Sequence, residues 1–173
     1  WVDEDACRLR RCELMMPERN GFRFLEELAT RGVHTPVVMR TGYSTVENAV
    51  KSLTSTGAVD YIPKPFTADE LLTVIRRSLR CGMLLNEAES ASLPRSGAMS
   101  YVPCPANYHR LGYASWALME DKGTALIGVS DLFLRAAEGI KAFELSPPGE
   151  DLLQGIPCTE MTSPDGSIHN IMC

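Results

Sequence analysis

No apolar run in this 173-residue chain approaches the roughly 18 to 20 residues that a membrane span requires. The opening WVDEDACRLRR is acidic and then basic, with no hydrophobic region behind it, so neither a span nor a secretory leader is predicted. Positive charge is scarce: 17 Lys and Arg face 22 Asp and Glu, and the net charge of -5 argues against nucleic acid as a partner, because phosphate backbones need clustered cations. The six cysteines, Cys7, Cys12, Cys81, Cys104, Cys158 and Cys173, include no C-x-x-C pair, and a chain of this size does not need disulfide staples. Reduced thiols in a cytoplasmic, soluble protein are therefore expected. Cys104 and His109 have a metal-like spacing, but two ligands do not make a tetrahedral zinc site. His34 and His169 read as loop residues, no lysine follows Lys141, and no internal repeat is visible. What the chain does have is an ordinary 45% hydrophobic content, enough for one comfortable domain or two small ones.

The apolar pattern divides the chain at NEAESASLPRSGAMS, a Ser- and Ala-rich stretch with Pro94 and Gly97 that reads as a linker. Before it, Phe22, Leu25, Leu28 and Ala29 share one helical face, closed by Gly32. TPVVMRT reads as a strand ending at Thr41. Ser44 and Glu47 stand at capping-box spacing ahead of a stripe formed by Val46, Ala49, Val50 and Leu53. VDYIP is a second strand, and Thr67 and Glu70 repeat the capping device before Leu71, Leu72, Val74, Ile75 and Leu79. Alternation of this kind favours a parallel sheet with helices on its faces and function at the carboxyl ends of the strands, where Thr41 and Lys64 both fall.

The stretches ELMMPERNG, VVMRTGYSTVENAV and DYIPKPFTADELL resemble the second half of a response regulator receiver domain, over residues 13 to 80. The resemblance implies a partial flavodoxin-like fold over residues 1–81. It places Glu13 where the family has a phospho-accepting Asp, Thr41 as the switch hydroxyl, Lys64 as the clamp, Tyr61 as the aromatic partner, and a cis peptide between Lys64 and Pro65. An aspartyl carboxylate can attack phosphorus, and a cation plus Mg²⁺ then neutralises the transferred oxygens. Glu13 is longer than Asp by one methylene, about 1.5 Å, and a misplacement of about 1 Å costs on the order of 10²-fold in rate. Transfer to Glu13 is therefore not expected. The added length is expected to carry charge toward Thr41 and Lys64 and imitate the phosphorylated state. Upstream, the acidic VDED resembles the end of the family's first strand, with Asp3 and Glu4, beside Glu13, as the implied metal ligands; the elements that should follow are missing, since seven residues separate Asp5 from Glu13. Alternatively, CRLRRCEL takes the place of the central strand, with Arg8, Arg10 and Arg11 where a doubly covered strand has Val, Ile and Leu.

Beyond the linker, drawn at residues 82–107, the sequence predicts short strands at Trp116–Met119 and Ala125–Val129. A helix follows from Ser130 with Leu132, Phe133 and Ala136 inward, and Trp116 and Phe133 read as core. Residues 108–173 resemble the glycine cleavage system H protein, a small, mainly β lipoyl carrier in which a hairpin presents a modifiable Lys. GIPCTEMTSPDG aligned with that hairpin puts Asp165 at the lipoyl position, so no lipoyl group is expected, and the chain reads as ending before the hairpin's return strand. The two resemblances together imply a non-enzymatic phosphorelay adaptor whose partner is a sensor histidine kinase or another signalling protein. A homodimer through residues 67–80 is a further expectation. The alternatives are an active phospho-accepting response regulator fragment and a carrier-type subunit of an enzyme complex.

Overall fold

The computed structural model describes residues 7–16, 20–42, 46–54, 57–90, 101–121, 123–152 and 157–172. Asp3, Glu4 and Ser44 lie outside them, so the expectations about the upstream acidic pair and the Ser44 cap fall outside the described residues. The N-terminal half alternates β1 (Arg10–Glu13), α1 (Gly21–Thr30), β2 (Val37–Thr41), α2 (Val46–Thr54), β3 (Asp60–Pro63) and α3 (Ala68–Ser90). Its three strands form one parallel sheet in the order β1-β2-β3.

Successive side chains of a strand leave the sheet on opposite faces, and the core follows that period. Val37 and Met39 join Cys12, Leu14, Tyr61 and the α1 residues Phe22 and Leu25 on one side. Val38 instead meets Ile62 and the α3 residue Val74 on the other. CRLRRCEL thus supplies β1, and its arginines are tolerated because β1 is a terminal strand of this sheet: Arg11 is exposed, whereas Cys12 is buried. The entry to α1 is fixed by Asn20, whose side-chain oxygen accepts from the Phe22 N–H at 2.7 Å.

Helix α3 continues through residues 82–90, which the sequence reading assigned to the linker. Ala, Glu and Leu in MLLNEAES are strong helix formers, and propensity outweighs their small, polar appearance.

The C-terminal half holds β4 (His109–Leu111), β5 (Ser115–Met119), β6 (Ala125–Val129), α4 (Asp131–Ala136), β7 (Ala142–Leu145), β8 (Pro157–Thr162) and β9 (Ile168–Met172). Two antiparallel sheets result, β4-β5-β6 and β7-β8-β9. Ser130 caps α4 by accepting from the Phe133 N–H at 3.1 Å. Phe133 is buried with Ala137, Met161 and Ile171. Trp116 is half-buried, donating to the Val129 carbonyl at 3.1 Å, and a Cβ on Gly128 would come within 2.2 Å of its ring.

Several expectations are corrected here. The return strand exists: β9 pairs with β8 from Thr162↔Ile168 to Pro157↔Met172, because five residues suffice to close a tight hairpin ladder. His169 is a buried β9 residue rather than a loop residue. Cys7, Cys12, Cys81 and Cys104 are free thiols but Cys158 is disulfide-bonded, since a disulfide requires proximity in space, which spacing along the chain does not report. On α3, Arg77 and Cys81 face α4 and β9 of the same chain, so a homodimer through residues 67–80 would use the rest of that helix, where Leu72 is exposed. No described helix is long and apolar enough to cross a membrane.

Candidate functional site at the carboxyl end of the parallel sheet

Parallel strands end together, so the last residues of β1, β2 and β3 bring their side chains to one rim. Glu13 closes β1, Thr41 closes β2, and Lys64 follows β3 immediately. The rim is tied by backbone bonds: Leu14 N–H donates to the Arg40 carbonyl at 3.0 Å and Lys64 N–H to the Thr41 carbonyl at 2.9 Å. Gly21 lets α1 approach it, since a Cβ there would lie 2.6 Å from the Glu13 carbonyl oxygen and 2.9 Å from Met39 Cε. Its role was not read from the sequence; the Asn-Gly pair before an amphipathic helix is the signal that could have shown it.

Lys64 Nζ donates to Glu13 Oε2 at 2.5 Å, and the Thr41 hydroxyl also hydrogen-bonds Glu13. Partial burial pushes the Glu13 carboxyl up, but the Lys64 hydrogen bond and charge, then Thr41 and the Leu14 backbone, together hold it below the usual carboxylate range. The side chains of Lys64 and Glu13 are 40% and 20% exposed, so water screens the pair and its net contribution is no more than about 1 kcal/mol. Thr41 is fully buried. Tyr61 lies inward at 5% exposure, and its buried hydroxyl has no hydrogen-bond partner among the described residues; burial first, and the Glu13 charge second, raise its pKa. The Lys64–Pro65 peptide is cis.

The structure thus joins Glu13, Thr41 and Lys64 and sets Tyr61 beneath them. Mg²⁺ requires several hard oxygen ligands in near-octahedral array, and among the described residues no three His, Cys, Asp or Glu side chains converge to hold a metal. Glu13 has its charge against an ammonium, and Asp3 and Glu4, the other ligands that the resemblance implies, lie outside the described residues. Asp165 stands apart in the exposed β8–β9 turn, where it accepts from the N–H and hydroxyl of Ser167, both at 3.0 Å.

Residues 1–76 match the response regulator receiver domain family. Regulatory protein AtoC of Escherichia coli (strain K12) is 39% identical over 75 residues, covering 43% of this chain and 16% of that protein. Transcriptional regulatory protein DltR of Streptococcus agalactiae serotype III (strain NEM316) is 40% identical over 73 residues, covering 42% and 32%. Among solved structures, NtrX from Brucella abortus overlaps 53% of this chain and 21% of its own with 32% identity and a TM-score of 0.46. The chain therefore spans a third or less of the length of these curated relatives.

Proposed function

We propose that this chain, whose N-terminal region matches response regulator receiver domains, is a phosphorelay signalling protein that acts as an adaptor, its phospho-acceptor position held by a non-accepting Glu13. One observation carries the reading. Lys64 and Thr41, the two groups that the receiver resemblance assigns to a transferred phosphoryl group, are both engaged by the Glu13 carboxylate. A phosphoryl group needs those donors to offset its developing charge. The glutamate already supplies a negative charge where the phosphate oxygens would sit, so the pocket rests in a charge state resembling the phosphorylated one. A sensor histidine kinase or other signalling protein is the partner this reading implies.

Residues 108–173 complete the proposal as a lipoyl-carrier-like module used for packing rather than acyl transfer. The three-stranded β7-β8-β9 sheet, with Asp165 in the turn of its second hairpin, supports that reading. Asp165 cannot form the amide that lipoylation requires. A lipoyl adduct in the intact mass spectrum would remove this part of the proposal.

Beryllofluoride with Mg²⁺ tests the acceptor position, because a ligand bound only by the folded state raises its melting temperature by linkage. The parent chain is expected to show no shift and no labelling by a radiolabelled acyl phosphate donor. A rise of several degrees, or a labelled parent chain, identifies an active phospho-acceptor and defeats the adaptor reading. The variant Glu13→Asp, shorter by one methylene, is expected to gain both responses.

A further inference from the structure

Where the halves meet, β3 and α3 face α4 and β9. Leu132 and Ala136 pack on Cys81. The apolar fit is incomplete: a cavity of about 350 Å³ lies between the halves, with Ile62, Val74 and Cys81 on one side and Ala114, Phe133 and Met172 on the other. Apolar contact therefore holds the junction where α4 meets α3, and leaves it open at this cavity.

The key between the halves is polar and buried. Arg77, 7% exposed, places Nε and Nη2 at 2.9 and 2.5 Å from Asp60 Oδ2, and Nη1 at 2.7 Å from His169 Nδ1. His169, 4% exposed, has Nε2 at 2.7 Å from Ser163 Oγ, which lies 2.9 Å from the Ala137 carbonyl. A guanidinium only donates. His169 Nδ1 must therefore accept, its proton sits on Nε2 and is donated to Ser163, and the Ser163 hydroxyl donates to Ala137. Phe133 closes the site, with the Arg77 guanidinium 4.7 Å above its ring and the imidazole edge-on at 5.9 Å.

A second proton on His169 would set N–H against N–H at the Arg77 contact and bury a cation beside a cation. The other charged groups facing this site come from every packed element: Asp60 from β3, Arg76 and Arg80 from α3, Asp165 from the β8–β9 turn, and Glu138 after α4, which pairs with Arg80 at 2.5 Å. Burial and Arg77 disfavour the imidazolium more than Asp60 and Asp165 favour it, which pulls His169 from the ordinary 6.5 down to about 4.

We propose that the C-terminal module is a proton-released cap on the β3–α3 face, latched by the Arg77–His169 hydrogen bond, so that neutral His169 holds it closed and protonated His169 lets it go. In the latched state the imidazole's pKa lies below its free value, so the latch is fully present above the free value of 6.5 and is lost as pH falls toward about 4. One proton is taken up on opening. The closed-to-open ratio therefore falls by up to about tenfold per pH unit, roughly 300-fold across the window.

Small-angle scattering and far-ultraviolet circular dichroism of the 173-residue chain, recorded from neutral pH down to the latched pKa, read opening and helix content together. The His169 ring proton in NMR reads the titration, told apart from those of His34 and His109 by its loss in His169→Gln. The parent is expected to expand as His169 titrates while helix content is retained. His169→Gln keeps one acceptor for Arg77 and one donor for Ser163 but cannot titrate, and it is expected to stay compact throughout. His169→Ala is expected to be expanded already at neutral pH; should it fail to fold, the comparison of parent with His169→Gln still decides. Expansion of His169→Gln at the parent's pH, a parent that stays compact while His169 titrates, or simultaneous loss of helix and compactness in both proteins would each overturn the proposal.

Discussion

At Glu13, three side chains from three strand ends share one charge problem. The carboxylate is neutralised by Lys64 and solvated by Thr41, and replacing it with Gln keeps the shape while removing the charge. Because the pair is partly exposed, Glu13→Gln is expected to lower stability by no more than about 1 kcal/mol, read as a small drop in the urea midpoint with unchanged slope. The sign with pH follows from the depressed Glu13 pKa. Its contribution is present above the ordinary carboxyl value and lost as pH falls through the depressed one, so parent and Glu13→Gln should converge in acid. The residue types of this cluster were legible from their spacing relative to strand ends. The contact of Glu13 with both Lys64 and Thr41 was not, because it depends on how β1 and β3 flank β2.

At the scale of elements, local signals were good guides where backbone groups had to be satisfied. Thr67 and Glu70 form the reciprocal cap their spacing suggested: Thr67 N–H donates to Glu70 Oε2 at 2.6 Å, and Glu70 N–H to Thr67 Oγ1 at 3.2 Å. Thr67→Ala removes one half of that box and is expected to cost about 1 kcal/mol, checked by thermal melting. The end of α3 was misread because the small and polar residues from Asn86 onward read as a linker, and Gly82 shows why the helix runs on. It sits inside the helix, where a Cβ would come within 2.8 Å of the Pro36 ring, so its small size serves a contact distant in sequence. The β9 strand was missed for a related reason: five residues beyond a turn declare themselves only through the strand they pair with.

For the whole molecule, the decisive features are the ones that no local pattern announced. Asp60, Arg77 and His169 lie on three separate elements, 17 and 92 residues apart in the pairs that touch. Each reads alone as an ordinary strand, helix or loop residue. Arg77→Met would leave Asp60 without its cation and His169 without its donor in a buried setting, and is expected to cost about 3–5 kcal/mol. That loss should far exceed the effect of Glu13→Gln in the same urea measurement, which ranks the junction above the rim in stability.

The sequence by itself determined the alternating order of strands and helices, the Thr67–Glu70 cap, the burial of Phe133 and the receiver-like spacing of Glu13, Thr41, Tyr61 and Lys64. Those depend on apolar periodicity and on backbone groups satisfied within a few residues. Tertiary structure alone decided that Glu13 is already paired, that Cys158 is bonded, and that His169 meets Arg77. Pairing and burial are properties of distance in space, and only the packed chain sets those distances.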